Sequence, residues 1–308
     1  MNVSIMRCYM QNIKFDEKLF WQQFSHGVVR TQMGRLHYVS GGQGPTVLLL
    51  PGWPQSWYAW RYLMPALANS GKRVVALDLP GMGDSDHPTE GYDSTTIALT
   101  LRSLIQSLAL EEKDGIEIIA HDVGAWMGYA LASDHPDCIK KLVLIDAAIP
   151  GISALPSGEL TDEQVMRTWH FAFNRLSDLP EILLKDREEP FLRWLFSTKA
   201  EFGWMIDEKA LAEYVRVNRL PGALRSALSY YKNAFSKQDI AINKLRSEKQ
   251  LLMPVFAIGA RYGVADLLYN TLSPICADIH GEVIEGAGHY LPEESPQQLV
   301  AVLKEFLS

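Results

Sequence analysis

The chain has 308 residues, of which 47% are hydrophobic, and a formal net charge of −7 at pH 7. This length and composition are sufficient for a well-packed globular enzyme. The negative charge and the lack of a Lys/Arg block disfavour a nucleic-acid or polyphosphate partner. No apolar run reaches the length of a membrane span, so we expect none.

The N-terminal segment and the cysteines bear on the cellular compartment. MNVSIMRCYMQNIKF contains no continuous apolar stretch and does not resemble a secretory signal. Cys8, Cys138 and Cys276 are widely spaced, which fits neither a metal site nor an even disulfide framework. We therefore predict a cytoplasmic protein that uses no metal and no other cofactor.

The first half of the chain alternates apolar runs with helical stretches. The runs are RLHYVS, TVLLLP, RVVALDLP, IEIIAHD and KKLVLIDA, all between residues 35 and 147. Helical patterns at 95–110 and 124–133 separate the later runs. Buried runs alternating with helices indicate an α/β fold, with a mostly parallel central sheet that helices flank on both faces.

The strand pattern stops near residue 150 and returns near residue 249. Between these points the sequence is rich in aromatic residues and Leu, reads as helices, and is broken at Pro180, Pro190 and Pro221. PVFAIGA, GEVIEGA and a helix at 296–307 then complete the chain. We predict a core formed by residues 1–149 and 249–308, with a helical cap at 150–248 inserted into it.

Polar residues follow three of the predicted strands. Asp122 comes after IEIIAH, Asp146 after KKLVLI and His289 after GEVIEGAG. Ligands of parallel α/β sheets bind at the carboxyl ends of the strands, where these side chains are expected to meet. Their chain order is nucleophile, acid, His, as in α/β-hydrolases, and the small-x-Asp-x-small-small pattern around Asp122 is typical of a nucleophile elbow.

The chain resembles α/β-hydrolases of the epoxide hydrolase and haloalkane/haloacetate dehalogenase branch. The matching segments are GGQGPTVLLLPGWPQSWYAWRYLMPAL, VVALDLPGMGDSD, AHDVGAW and GAGHYLPEESP. Within this branch, WHFAF and SYYKN are similar to cap segments of Cif-type bacterial epoxide hydrolases. One difference is that the family's His-Gly-x-Pro motif begins here with Pro51, which affects the support of the loop more than the class of reaction.

Asp122 is suited to a saturated electrophile. An Asp nucleophile attacks such a carbon and forms an alkyl–enzyme ester, whereas Ser attacks acyl carbonyls. Water activated by His289 would hydrolyse the ester, with Asp146 orienting the imidazole. The backbone N–H groups of Trp53 and Val123 are the candidate donors to the oxyanion.

Two positions are candidates for the triad acid. Asp146 matches the placement used by Cif-type hydrolases, and we favour it. Many relatives place the acid after the strand that corresponds to PVFAIGA, where this chain has Arg261 and Tyr262 and, a little further on, Asp266. Asp266 therefore stays open as the alternative.

The resemblance also implies two proton donors in the cap. Tyr231 aligns with the cap tyrosine of epoxide hydrolases, and His170 with the second donor of Cif-type enzymes. An epoxide oxygen leaves as an alkoxide and needs such a donor, whereas halide leaves as a weak base. Neighbouring Tyr230 points elsewhere on the helix and is expected to pack.

The expected substrate is a small apolar epoxide, which reacts with water to give a vicinal diol. Trp53, Val123, Trp126 and Phe171 are predicted to line an apolar pocket. Haloacetate dehalogenases carry arginines just after the nucleophile, where this chain has Val123 and Trp126. A haloalkane or haloacetate dehalogenase, and a catalytically weak binding or signalling protein, are the alternatives. A homodimer is a possible assembly.

Overall fold

The computed structural model describes residues 15–110, 113–154, 158–202 and 206–308. The N-terminal segment used in the prediction of the cellular compartment, with Cys8, lies outside these residues. Cys138 and Cys276 are both buried. Among the described residues, every helix is too short or too polar to cross a lipid bilayer.

The described strands form one eight-stranded sheet with the order β1-β2-β4-β3-β5-β6-β7-β8. Strands β3 to β8 pair in parallel, and only the β1–β2 and β2–β4 pairs are antiparallel. The strands are β1 Phe24–Thr31, β2 Gly34–Gly41, β3 Thr46–Leu50, β4 Arg73–Leu77, β5 Ile116–His121, β6 Ile139–Ile145, β7 Val255–Ala260 and β8 Ile279–Ile284. The predicted mostly parallel sheet is confirmed.

Alternate residues of the central strands feed two separate cores. Leu48 and Leu50 of β3 pack into the hydrophobic cluster on one face of the sheet, whereas Val47 and Leu49 pack into the cluster on the other. Every residue of β3, β5 and β7 is buried. Because both faces are covered, these strands read as continuous apolar runs instead of alternating ones.

The helices of the core flank this sheet. They are α1 Glu17–Gln23, α2 Leu63–Asn69, α3 Ser94–Ser107, α4 Val123–Asp134, α11 Leu267–Leu272, α12 Leu291–Glu294 and α13 Pro296–Leu307, with short 3-10 turns at Trp57–Trp60, Pro136–Cys138 and Ser273–Ile275. Asp93 caps α3 by accepting a hydrogen bond from the Thr96 N–H at 2.9 Å. Helix α4 is almost entirely buried, because it follows the central strand β5 directly.

In the described part of the segment between β6 and β7 there are six helices, which we call the cap. They are α5 Asp162–Phe173, α6 Leu179–Leu184, α7 Glu188–Lys199, α8 Glu208–Asn218, α9 Ala223–Ala234 and α10 Lys237–Ser247. Pro180 and Pro190 lie in the first turns of α6 and α7, where a proline costs no helical hydrogen bond. The chain position of the cap agrees with the predicted helical insertion, whose exact limits at 150–248 stay a prediction.

The cap shares one hydrophobic core with the sheet. Tyr214 and Tyr231 of the cap belong to the same buried cluster as Trp53 and Trp126 of the core. Polar contacts join the two parts as well: the Tyr230 hydroxyl donates to the Pro80 carbonyl at 2.9 Å, which agrees with its expected packing role. The cap therefore covers the carboxyl ends of the strands, where Asp122 and Asp146 lie.

Candidate active site

Asp122 occupies a strained turn between β5 and α4. Its backbone has φ 52° and ψ −119°, a conformation that residues other than Gly rarely adopt. Small neighbours make the turn possible: a Cβ on Gly124 would lie 2.4 Å from the Leu50 carbonyl oxygen, and one on Gly52 would lie 2.4 Å from the Cβ of Asp122. The turn lifts the carboxylate out of the strand toward the cap.

The Asp122 carboxylate is held by backbone donors and remains ionised. Oδ1 accepts a hydrogen bond from the Trp53 N–H at 2.9 Å, and the Val123 N–H also bonds to the carboxylate. Burial alone would raise the pKa of Asp122, but the hydrogen bond and charge of His289 outweigh it and hold that pKa well below its usual range. The two predicted oxyanion donors thus both contact the Asp122 carboxylate.

His289 connects the two carboxylates. Its Nδ1 lies 2.7 Å from Oδ2 of Asp146, and its Nε2 lies 3.4 Å from Oδ2 of Asp122. Burial works against the charged imidazole, but hydrogen bonds and charges from Asp122 and Asp146 prevail and raise the pKa of His289 to about 9. In the free enzyme the imidazole is therefore protonated at neutral pH and pairs with the nucleophile.

Asp146 is fixed from two sides. Its Oδ1 accepts hydrogen bonds from the N–H groups of Ala260, at 2.7 Å, and Val264, at 2.9 Å, while Oδ2 faces His289. All of these partners fit an ionised carboxylate that orients the imidazole. Asp266, the alternative acid, lies exposed at the start of α11. The geometry thus favours Asp146 as the partner of His289.

The loop that carries His289 is held by residues that the sequence analysis missed. The His289 N–H donates to the Lys199 carbonyl at 3.0 Å, and His121 Nε2 lies 2.8 Å from the His289 carbonyl. The buried Glu294 carboxylate accepts from the N–H groups of Gly288, Tyr290 and Glu201 at 2.8 to 2.9 Å. Glu294 therefore ties this loop to the end of the cap helix α7.

His121, directly before the nucleophile, is a neutral neighbour of the triad. Burial, with the nearby imidazole of His289, lowers the pKa of His121 to about 4. Its Nε2 then carries the proton that the His289 carbonyl accepts. A polar residue directly after the apolar run Ile118-Ile119-Ala120, at the end of the strand, was the available sequence signal for this role.

Tyr231 brings a cap hydroxyl close to the nucleophile. The side chain is 1% exposed, and its ring centroid lies 5.5 Å from that of Trp53 and 5.3 Å from that of Trp126. Burial first, and the charge of Asp122 second, raise the pKa of Tyr231 well above its usual value. The phenol therefore stays protonated and is able to donate a hydrogen bond.

His170 lies beside Tyr231 on the neighbouring helix α5. It is 2% exposed, and the two ring centroids are 5.8 Å apart. Its Nε2 lies 3.0 Å from the Lys199 ammonium, whereas its Nδ1 has no hydrogen-bond partner among the described residues. Burial and the adjacent Lys199 lower the pKa of His170 well below its usual value, so the ring is neutral.

Aromatic side chains surround these polar groups. Trp53, Trp126 and Phe171 have ring centroids 5.3 to 6.1 Å from that of Tyr231. The Trp126 indole N–H donates to the Ala148 carbonyl at 2.9 Å, which fixes the ring, whereas the buried Trp53 indole N–H has no partner in the described parts of the chain. The structure thus brings together every residue predicted for the site, in a largely apolar setting.

A cluster with the spacing of metal ligands lies elsewhere. His37, Asp78 and Asp84 are the only such group found in the described residues. Asp78 accepts hydrogen bonds from the N–H groups of Trp57 and Asp84, and bonds to His37, while both Asp84 oxygens pair with Arg216 of the cap. Hydrogen bonding within the protein therefore accounts for this cluster.

Comparisons with known proteins agree with this geometry. A family model described as the alpha/beta hydrolase fold matches residues 45–296. The "Soluble epoxide hydrolase" of Corynebacterium sp. (strain C12) is 32% identical over 277 residues, which is 89% of this chain and 94% of the relative. The crystal structure of Cfl2 from Burkholderia cenocepacia has a TM-score of 0.87 and 38% identity, covering 93% of this chain and 96% of that one.

A dehalogenase is similar as well. The "Fluoroacetate dehalogenase" of Burkholderia sp. is 28% identical over 284 residues, which is 89% of this chain and 90% of the relative. These similarities confirm the predicted fold and the predicted enzyme class. The chain belongs to the α/β-hydrolase family, in the branch that contains epoxide hydrolases and fluoroacetate dehalogenase.

Proposed function

We propose that this enzyme hydrolyses an apolar epoxide to a vicinal diol through a covalent ester on Asp122. The observation that carries the proposal is a buried carboxylate nucleophile on the core combined with two buried donors, Tyr231 and His170, in the cap. Epoxide opening needs this combination, because the carbon must be attacked while the leaving oxygen is protonated.

In the first half-reaction, Oδ2 of Asp122 attacks one epoxide carbon. Oδ1 accepts the Trp53 N–H at 2.9 Å, whereas Oδ2 lies on the side of His289, 3.4 Å from its Nε2, so we assign the attack to Oδ2. The new C–O bond forms as the epoxide C–O bond breaks, and the released oxygen takes a proton from the cap donors. Without such a donor, an alkoxide in an apolar pocket would be a poor leaving group.

In the second half-reaction, His289 removes a proton from water, which attacks the carbonyl carbon of the ester. Esterification neutralises Asp122, so His289 loses one of the two charges that raise its pKa and becomes a better base. Asp146 stabilises the imidazolium that forms. The oxyanion of the tetrahedral intermediate accepts hydrogen bonds from the Trp53 and Val123 N–H groups. As the intermediate collapses, the ester C–O bond breaks, the leaving oxygen takes the proton from His289, and the diol is released.

The side chains around Asp122 and Tyr231 support the choice of substrate class. The aromatic rings of Trp53, Trp126 and Phe171 suit an apolar epoxide, and Val123 and Trp126 stand where haloacetate dehalogenases carry arginines. The similarity to a fluoroacetate dehalogenase supports dehalogenation as the second candidate. The hydrogen-bonded set of Asp122, His289 and Asp146 supports catalysis over a binding or signalling role. The cytoplasmic location and the homodimer stay predictions.

The test compares three substrates on the same preparation. A terminal aryl epoxide, fluoroacetate and a bromoalkane are each incubated with the enzyme, and diol, fluoride and bromide are quantified. We expect diol with little halide. Efficient fluoride release without diol formation would refute the proposal and favour the second candidate, a dehalogenase.

A further inference from the structure

Lys199 at the end of α7 is a half-buried cation that the chemistry above does not use. Its Nζ lies 3.0 Å from Nε2 of His170, across 29 residues of chain. Its own backbone carbonyl accepts the hydrogen bond of the His289 N–H. One residue therefore contacts both a cap donor and the loop of the catalytic base.

The contact determines which nitrogen of His170 carries the proton. An ammonium group has three hydrogens and no lone pair, so Nε2 must act as the acceptor. The neutral imidazole then carries its hydrogen on Nδ1. This nitrogen is buried and has no partner among the described residues, which leaves an N–H donor available to a ligand.

We propose that Lys199 is the positioning residue that makes His170 a donor, and that it supplies the proton which His170 passes to the leaving oxygen of the substrate. This inference rests on the proposed epoxide opening and adds the source of the proton. If Lys199 were neutral, Nε2–H would donate to it, Nδ1 would be a lone pair, and His170 would repel the oxygen it is meant to assist.

The proton transfer breaks two bonds to hydrogen and forms two. The Nδ1–H bond breaks as an O–H bond forms on the released oxygen. An Nζ–H bond of Lys199 breaks as an Nε2–H bond forms. Ammonium becomes amine, the imidazole ends neutral in its other tautomer, and the substrate ends as a hydroxyl group on the alkyl ester. Lys199 is half-buried, so water is able to return its proton before the next turnover.

The surroundings of Lys199 give its ammonium group a pKa that suits this role. Burial lowers the pKa of Lys199 to about 8, against the opposing charges of Asp122 and Asp146. The other titratable groups nearby are His170 on α5, His289, and the Glu201 and Glu294 carboxyl groups beside the end of α7. The ammonium is thus the main form at neutral pH and is still acidic enough to protonate an alkoxide.

The experiment measures ester formation on Asp122 in a single turnover. Excess enzyme is mixed with a terminal aryl epoxide, quenched, and analysed by intact-mass spectrometry. Lys199→Met keeps the apolar stem but removes the charge, and we expect alkylation at least about tenfold slower, since positioned acid groups contribute ~10²-fold or more. Lys199→Arg keeps the charge and should retain more of the rate. Lys237→Met, at an exposed cap lysine, is the matched control and should be unchanged.

Two further readouts separate this role from a structural one. The wild-type alkylation rate should fall above pH 8, and this fall should be absent in Lys199→Met. In a His170→Gln background, Lys199→Met should cause no additional loss, because Lys199 acts through His170. An unchanged rate in Lys199→Met, or a full additional loss in the His170→Gln background, would overturn the inference. If the wild type itself forms no ester, the proposed function fails instead.

Discussion

The core and the cap both place buried polar groups around Asp122, but they satisfy these groups differently. In the core, one oxygen of Asp146 accepts two backbone N–H groups and the other pairs with His289. Asp122 pairs with His289 and accepts the Trp53 N–H. In the cap, His170 keeps one ring nitrogen without a partner among the described residues.

This difference indicates what each region does. The core holds a compensated set of charges that is complete before substrate arrives. The cap holds a buried ring nitrogen of His170 that has no partner among the described residues, and a buried donor without a partner is costly unless binding satisfies it. In the proposed mechanism, the leaving oxygen of the epoxide is the acceptor for this nitrogen.

Removing the nucleophile should have the largest effect. Asp122→Ala is expected to abolish diol formation and to leave the protein without a substrate adduct, because no other carboxylate occupies the elbow. Intact-mass spectrometry after incubation with a terminal epoxide checks both points. Diol production at the wild-type rate by a folded Asp122→Ala variant would refute the proposed role of Asp122 as the nucleophile.

Removing a cap donor should have the next largest effect. Tyr231→Phe keeps the ring between Trp53 and Trp126 and removes only the hydroxyl. Alkylation of Asp122 should slow by ~10²–10⁴-fold, the range of a positioned proton donor. Rapid-quench measurement of ester formation provides the rate, and Tyr230→Phe is the matched control. Equal alkylation rates in wild type and Tyr231→Phe would move the proposal toward a halide substrate.

A buried ion pair of the core, which also contacts the cap, provides a stability test. Arg61 and Glu293 form an ion pair of 2.7 Å with both side chains 1% exposed, and the Tyr214 hydroxyl also contacts Glu293. Glu293→Gln leaves the buried guanidinium without its main partner and should destabilise the fold by about 3 kcal/mol. Urea unfolding measures this difference. Glu285→Gln, in the exposed pair with Arg261, is the control, and equal destabilisation by both variants would contradict the account.

The pH dependence of the two half-reactions should differ. The pKa of Asp122 lies well below its usual range, so ester formation should stay constant from mildly acidic to neutral pH. Ester hydrolysis needs neutral His289, so its rate should rise with pH. The apparent pKa should be lower than about 9, because the esterified Asp122 no longer stabilises the imidazolium. A hydrolysis rate that falls with rising pH would contradict these roles.

Much of the fold could be predicted because the central strands are buried on both faces. Their apolar runs and the C-terminal helix α13 were visible in the sequence. Strand β1 was not predicted, because Phe24–Thr31 is an antiparallel edge strand with only scattered buried positions. No continuous run or strict alternation marks it.

The site could be predicted where backbone topology alone brings residues together. Asp122, Asp146 and His289 follow strands whose carboxyl ends meet, so their proximity was predictable. Lys199 and Glu294 were missed because their roles depend on how the end of α7 contacts the loop of His289. That contact is tertiary, and no local pattern in the sequence records it.

The central claim is a covalent ester on Asp122 that His289 hydrolyses, and trapping that ester tests it most directly. His289→Gln retains a polar side chain but no general base, so alkylation should proceed while hydrolysis stops. After incubation with a terminal epoxide, intact-mass spectrometry should show the protein plus one substrate, and peptide mapping should place the adduct on Asp122. Loss of turnover without any adduct, or an adduct on another residue, would contradict the account.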